Sequence, residues 1–246
     1  GVVDQHGPSE RTFRWASLTK LCTALTVLTL AEQGILDLDD PAGPDGATVR
    51  HLLAHTSGLA FEHGAPGGTV GRTRIYSNLG YEALGRYVED VAGRDFEESL
   101  RRQVLAPLDM GGTRLDGSPA AGLVGPITDL AKLAHELLRP TLLDDERFRQ
   151  ATTVQFEGLS GVLPGWGRQE RLDWGLGFEI RDGKAPHWTG SRNSPSTFGH
   201  FGGSGSYLWV DPEADLACCA LASEDFGAWS IKRWPAFNDQ VLDAYT

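Results

Sequence analysis

Trp15-Ala16-Ser17-Leu18-Thr19-Lys20-Leu21-Cys22 sets a serine and a lysine at the mouth of an apolar helix. Leu18, Leu21, Cys22, Leu25, Leu28 and Thr29 recur at i, i+3 and i+4, and Gly34 closes the run. A serine in the first turn sits beside free backbone N–H groups at the positive end of the helix dipole. Lys20 lies one turn along the same face, within reach of that hydroxyl. Serine alone is a poor nucleophile, and an amine that accepts its proton makes it a useful one. The chain has four lysines against eighteen arginines, and the helix carries almost no other charge before Glu32. An apolar setting favours the neutral amine that a general base needs. By itself the pair also reads as a helix cap beside a lysine that reaches out to solvent.

Outward from this helix, Val2-Val3, a turn at His6-Gly7-Pro8 and Thr12–Trp15 read as a hairpin feeding Ser17. The first residue already lies in a strand-like segment, so the N-terminus reads as truncated. Thr48 caps a short helix carrying His51 and His55, and Asn78 caps Leu79–Val91, which Gly93 ends. Asp95 and Glu98 form a capping box for the next helix, and Thr128 caps Asp129–Leu138. The clearest hairpin is Ser206–Val210, a turn at Asp211–Ala214, then Leu216–Ala222, whose continuous apolar runs suit strands covered on both faces. Phe237, Val241, Leu242 and Tyr245 suit a C-terminal helix packed on that sheet. Strands first and last with helices between imply an α+β fold. One antiparallel sheet is built from both chain ends (1–46 and 150–246), and 47–149 is an inserted all-α subdomain. The ligand cleft lies between them.

The composition narrows the partners. A net charge of −11 argues against nucleic acid or an anionic membrane as the main partner. No apolar run reaches the ~18 residues of a membrane span, and no signal peptide is visible. Cys22 and the pair Cys218-Cys219 read as small buried hydrophobes, which suits a reducing, cytoplasmic compartment.

Two further motifs fit the Ser17–Lys20 pair. Tyr76-Ser77-Asn78 precedes a helix; the tyrosine suits proton transfer and the asparagine suits a substrate carbonyl or Lys20. His200-Phe201-Gly202-Gly203 enters the hairpin strand, where glycines permit close approach. The N–H groups of Gly203 and Ser17 are candidates for an oxyanion hole. Ser17-x-x-Lys20, Tyr76-x-Asn78, His200-x-Gly202 and His55-Thr56-Ser57-Gly58 together resemble the serine β-lactamase-like hydrolases, in the class C branch. That branch includes D-alanyl-D-alanine carboxypeptidases, D-aminopeptidases and β-lactamase-like carboxylesterases.

The resemblance spans nearly the whole chain and implies an antiparallel sheet flanked by helices with an all-α insertion. It implies that Ser17 forms an acyl-enzyme, that Lys20 and Tyr76 move protons, and that Asn78, His200, Gly202 and Gly203 bind substrate or oxyanion. It implies no cofactor and no metal. The expected substrate is a small ester, amide or D-amino peptide. The chain departs from the pattern in two places. Family members usually carry a helix and a strand before the segment equivalent to Val2–His6, and their third motif is commonly Lys-Thr-Gly. Histidine in that place favours neutral esters or amides over penicillin-like anions.

Other readings stay open at the level of sequence. Trp188-Thr189-Gly190 is a rival third motif, and Trp166, Trp174 and Trp188 are candidates to line a pocket. His51, His55 and His63 have spacing that suits zinc, although Leu52 stands where a metalloprotease has glutamate. An inactive relative acting as a binding protein is a third reading. An α/β-hydrolase needs Gly-x-Ser-x-Gly, and the chain has none.

Overall fold

A computed structural model describes residues 1–246. Its centre is helix α1, Thr19–Glu32, in which every residue from Thr19 to Ala31 is buried. The helix is therefore enclosed on all sides rather than amphipathic, and its threonine hydroxyls must find partners inside the protein. Thr26 and Thr29 donate to the carbonyls of Cys22 (2.8 Å) and Leu25 (2.9 Å) one turn back. Ser17 lies just ahead of α1 in a single 3₁₀ turn, Ala16–Leu18. Gly34, with φ +70°, follows its C-terminus as expected.

Around α1 pack α3 (Asn78–Ala92) and α4 (Phe96–Leu100), while α2 (Val49–Leu53) lies against α3. Thr48 caps α2 and Asp95 caps α4, as their side chains predict. Two caps shift. Ser77, not Asn78, caps α3, its Oγ accepting from Gly80 N at 2.9 Å, which frees the Asn78 side chain. Pro126, not Thr128, precedes α5 (Ile127–Leu138), because its fixed φ suits a helix entry without a side-chain bond. Glu98 spends its carboxylate on Arg101 and Arg102 instead of closing a capping box. A short helix α6, Asp145–Ala151, completes this region.

The strands depart further from expectation. β1 (Phe13–Arg14) pairs with β3 (Leu123–Gly125), which also pairs with β2 (Arg114–Leu115). A hairpin, β4 (Gly161–Leu163) and β5 (Gly167–Gln169), stands apart. The four-stranded antiparallel sheet runs β6 (Glu179–Ile180), β7 (Phe198–Phe201), β8 (Tyr207–Asp211), β9 (Leu216–Ala220). All four come from the C-terminal part of the chain, so one sheet built from both ends is not what forms. The N-terminal strand is claimed by β3 inside the segment expected to be all-helical. Val2 and Val3 are exposed and form no hairpin.

Both faces of the four-stranded sheet are covered, as its apolar runs imply. Leu208 and Val210 join the main core with α1, while Tyr207 and Trp209 face a second cluster with Trp234 and Leu242 of α7 (Ala228–Tyr245). α7 begins before Pro235 and includes it, with Trp234, Asn238 and Leu242 inward. Phe237 and Tyr245, expected on the packed face, point to solvent. The Tyr245 hydroxyl donates to Asp4 Oδ2 at 2.6 Å, so the two ends of the chain touch. No helix is long and apolar enough to cross a membrane. All three cysteines are free, with Cys22 buried and the adjacent 218–219 pair half-buried.

Candidate active site

Ser17 is held by three elements. Ala16 before it takes φ +47°, a left-handed conformation that a residue with a Cβ adopts only under constraint. The constraint is visible: Thr19 Oγ1 donates to Ala16 O at 2.6 Å and accepts from Leu123 N at 2.9 Å. Trp15 is pinned to β3 through its own N–H to Leu123 O (2.9 Å) and its indole to Gly125 O (3.1 Å). From the sheet side, Ser206 Oγ donates to Trp15 O at 3.0 Å.

Lys20 is fully buried, and its Nζ meets three oxygens: Asn78 Oδ1 at 2.7 Å, Ala120 O at 2.8 Å and Ser17 Oγ at 3.3 Å. Burial pulls its pKa down to about 7, opposed by the Glu82 charge. The amine also lies 4.8 Å from the Tyr76 ring centroid. The Tyr76 hydroxyl is buried without a hydrogen-bond partner, and burial raises its pKa, partly offset by Ser17 beside it. Tyr76 is therefore a phenol, not a phenolate, at neutral pH.

The Tyr76–Asn78 loop is anchored from behind. His55, at φ +58°, accepts from Ser77 N at 3.1 Å through Nδ1 and packs against Tyr76, Tyr81 and Trp174. Burial holds its pKa well below 6.5. Arg74, two residues before Tyr76, is 1% exposed and bonds the carbonyls of Ala54, Gln155 (2.7 Å) and Phe156 (3.1 Å). Burial lowers its pKa to about 10, opposed by Asp173.

His200 at the inner end of β7 is buried between Tyr76 and Trp174. Its Nδ1 lies 2.6 Å from Phe201 O. A carbonyl only accepts, so Nδ1 carries the proton and Nε2, which has no partner, presents a lone pair. Burial first and Lys20 second lower its pKa to about 3, so the ring is neutral across the physiological range. Gly202 abuts the nucleophile turn. A Cβ on it would stand 2.5 Å from both Trp15 O and Ser206 Oγ, so only glycine fits. Gly203 is exposed, and its N–H donates to no acceptor in the protein.

The three predicted motifs thus converge. Ala120 and Arg74 had no place in the sequence reading: a backbone carbonyl has no residue signature, and a lone arginine reads as surface. Trp188-Thr189-Gly190 lies elsewhere, with the Trp188 indole donating to Glu179 Oε2 at 2.7 Å and Trp188 O accepting from Asn238 at 3.1 Å. Trp174, rather than Trp188, stands against Tyr76 and His200. His51 Nδ1 lies against the Thr48 hydroxyl at 2.9 Å, and His55 Nδ1 accepts from Ser77, so the two rings turn to separate local partners. Beside Tyr76 opens a groove of about 350 Å³ lined by Phe61, Ile75, Tyr76, Val162, Pro164 and Arg168 among others.

The family model described as beta-lactamase matches residues 8–242. The chain belongs to the beta-lactamase family. A beta-lactamase from Mycobacterium bovis superposes with TM-score 0.97 at 50% identity, covering 100% of this chain and 92% of that one. Penicillin-binding protein 4* of Bacillus subtilis is 31% identical over 136 residues, which is 42% of this chain and 30% of that protein. Esterase EstB of Burkholderia gladioli is 35% identical over 136 residues, 48% of this chain and 32% of that protein. The matches to these two curated relatives span about a third of their length. Simvastatin synthase of Aspergillus terreus shares the fold, with TM-score 0.79 at 19% identity over 97% of this chain and 85% of that one. Within this beta-lactamase-family chain the α+β fold is the β-lactamase/transpeptidase-like one.

Proposed function

We propose that the chain is a serine hydrolase that forms an acyl-enzyme on Ser17, acting on neutral esters or amides. The observation that carries this is the coordination of the Lys20 amine. A neutral amine has two N–H bonds and one lone pair. Asn78 and Ala120 take the two N–H groups, which leaves the lone pair for the Ser17 hydroxyl 3.3 Å away. Lys20 then removes the Ser17 proton as Oγ attacks the carbonyl. Tyr76, kept as a phenol, hands a proton to the leaving atom and is reprotonated from Lys20. The Ser17 and Gly203 N–H groups stabilise the oxyanion, each such donor contributing roughly 3–4 kcal/mol. Water then releases the acyl group.

In this reading the site lies between the 1–46 and 150–246 segments, which supply Ser17, Lys20, His200 and Gly203, and the 47–149 segment, which supplies Tyr76, Asn78 and Ala120. His200 offers no cation to pair a substrate carboxylate, which favours neutral esters over D-alanyl peptides or penicillins. The name of esterase EstB supports the ester reading, and that of penicillin-binding protein 4* supports the second class as the alternative. The test is p-nitrophenyl butyrate hydrolysis by wild type and Ser17→Ala. Turnover is expected in the first and not in the second. A folded Ser17→Ala protein that retains turnover overturns the assignment. Failure of both to hydrolyse, with no labelling of Ser17 by a serine-directed probe, favours a binding protein.

A further inference from the structure

Seven large hydrophobic side chains are exposed, and two of them, Phe61 (41%) and Val162 (59%), come from separate segments to line one groove. Phe61 stacks on the Tyr76 ring, centroids 5.9 Å apart at 27°. Its carbonyl accepts from Asn78 N at 3.0 Å, which fixes it to the catalytic loop. Val162 is on β4, where the strand alternation sends Leu163 into the core and Val162 outward. The height of β4 is set by a backbone bridge between Arg74 and Gly161. A Cβ on Gly161 would stand 2.5 Å from Arg74 O, so only glycine lets β4 lie this close to the segment that leads into Tyr76. Arg168 stands opposite Val162 in the β4–β5 register. Its aliphatic stem extends the wall while its charge faces Glu170 at 3.6 Å. Apolar side chains left exposed around a concave space mark a ligand surface.

We infer that this groove receives the alcohol portion of the substrate, so that the chain prefers esters of apolar alcohols. The inference rests on the serine-hydrolase reading, because the side of the substrate follows from Tyr76. As the Ser17 Oγ–carbon bond forms and the carbon–oxygen bond to the alcohol breaks, the departing oxygen takes the Tyr76 proton. The group attached to that oxygen must then lie beside the Tyr76 ring, which is a wall of the groove. The acyl portion lies on the other side of the carbonyl.

The test is hydrolysis of methyl, butyl and hexyl acetate, followed by pH-stat, beside p-nitrophenyl acetate, butyrate and hexanoate. Each methylene buried in the groove raises kcat/KM by about threefold, giving a hexyl-to-methyl ratio on the order of 10². Val162→Asp and Phe61→Ala are expected to lower that ratio at least tenfold, while Ile35→Asp, an exposed apolar residue outside the groove, leaves it unchanged. A flat alkyl series, an unchanged ratio in Val162→Asp, or a steeper dependence on acyl length than on alcohol length overturns the inference while leaving the hydrolase intact. If wild type hydrolyses nothing, saturation-transfer NMR of Ser17→Ala with 1-hexanol reads the groove without turnover. Transfer to the alkyl chain that disappears on adding Val162→Asp supports the groove, and no transfer overturns it.

Discussion

At Lys20, the proposed reactivity follows from burial. Removing the amine from water brings its pKa from the ordinary 10.5 to about 7. Below that value the proton occupies the lone pair that Ser17 needs, so kcat/KM is expected to rise with pH through about 7 and level off above it. His200, at about 3, and Tyr76, raised by burial, add no limb in this window. A pH–rate profile checks the assignment: His200→Asn should keep the limb near 7, whereas Lys20→Arg, whose guanidinium stays charged, should remove it together with most of the rate. The sign for stability is the reverse of that for a paired lysine. Between about 7 and 10.5 the unfolded chain binds the proton and the folded one does not, so Lys20 costs stability most fully below pH 7 and progressively less as the pH rises.

At the scale of elements, the site depends on a strand end meeting a helix start. Gly202 is where β7 touches the Trp15–Ser17 turn, and Gly203, one residue on, has open space around its Cβ position. Gly202→Ala is expected to displace the turn, costing about 1–3 kcal/mol in urea unfolding and at least tenfold in kcat/KM. Gly203→Ala should change stability by less than about 0.5 kcal/mol. The sequence shows this junction well because its parts are local. Ser17 and Lys20 are one turn apart, and the glycines announce close approach. It shows the caps less well: Ser77 and Asn78 are both good capping residues, and only the demand of Lys20 for the Asn78 oxygen separates them. It shows strand pairing least. Phe13–Arg14 is two residues long, and nothing in its own composition distinguishes a partner in β3 from one in the large sheet. Thr29 belongs with the apolar run for a local reason: its hydroxyl, like that of Thr26, bonds back onto the helix.

Across the whole molecule, Arg74 is the tie between the Tyr76–Asn78 loop and distant backbone. Its guanidinium joins the end of α2 to the turn after α6, and its own N–H donates to Ser160 O at 2.9 Å beside the groove at Tyr76. Arg74→Met fills the space but takes the guanidinium donors from the buried Ala54 carbonyl and from the part-buried carbonyls of Gln155 and Phe156. It is expected to lower stability by about 3 kcal/mol, or roughly 6–12 °C in Tm, and to reduce turnover by loosening Tyr76. Calorimetry and p-nitrophenyl butyrate assays read the two effects, and an unchanged Tm would refute them. The bond between Tyr245 and Asp4 has a different consequence. The order in which the segments are synthesised is separable from the architecture they form. A circularly permuted chain, with its present ends joined by a short glycine-serine linker and new ends opened at exposed Asp45-Gly46, should fold to the same structure with Ser17, Lys20, Tyr76 and Asn78 brought together as before.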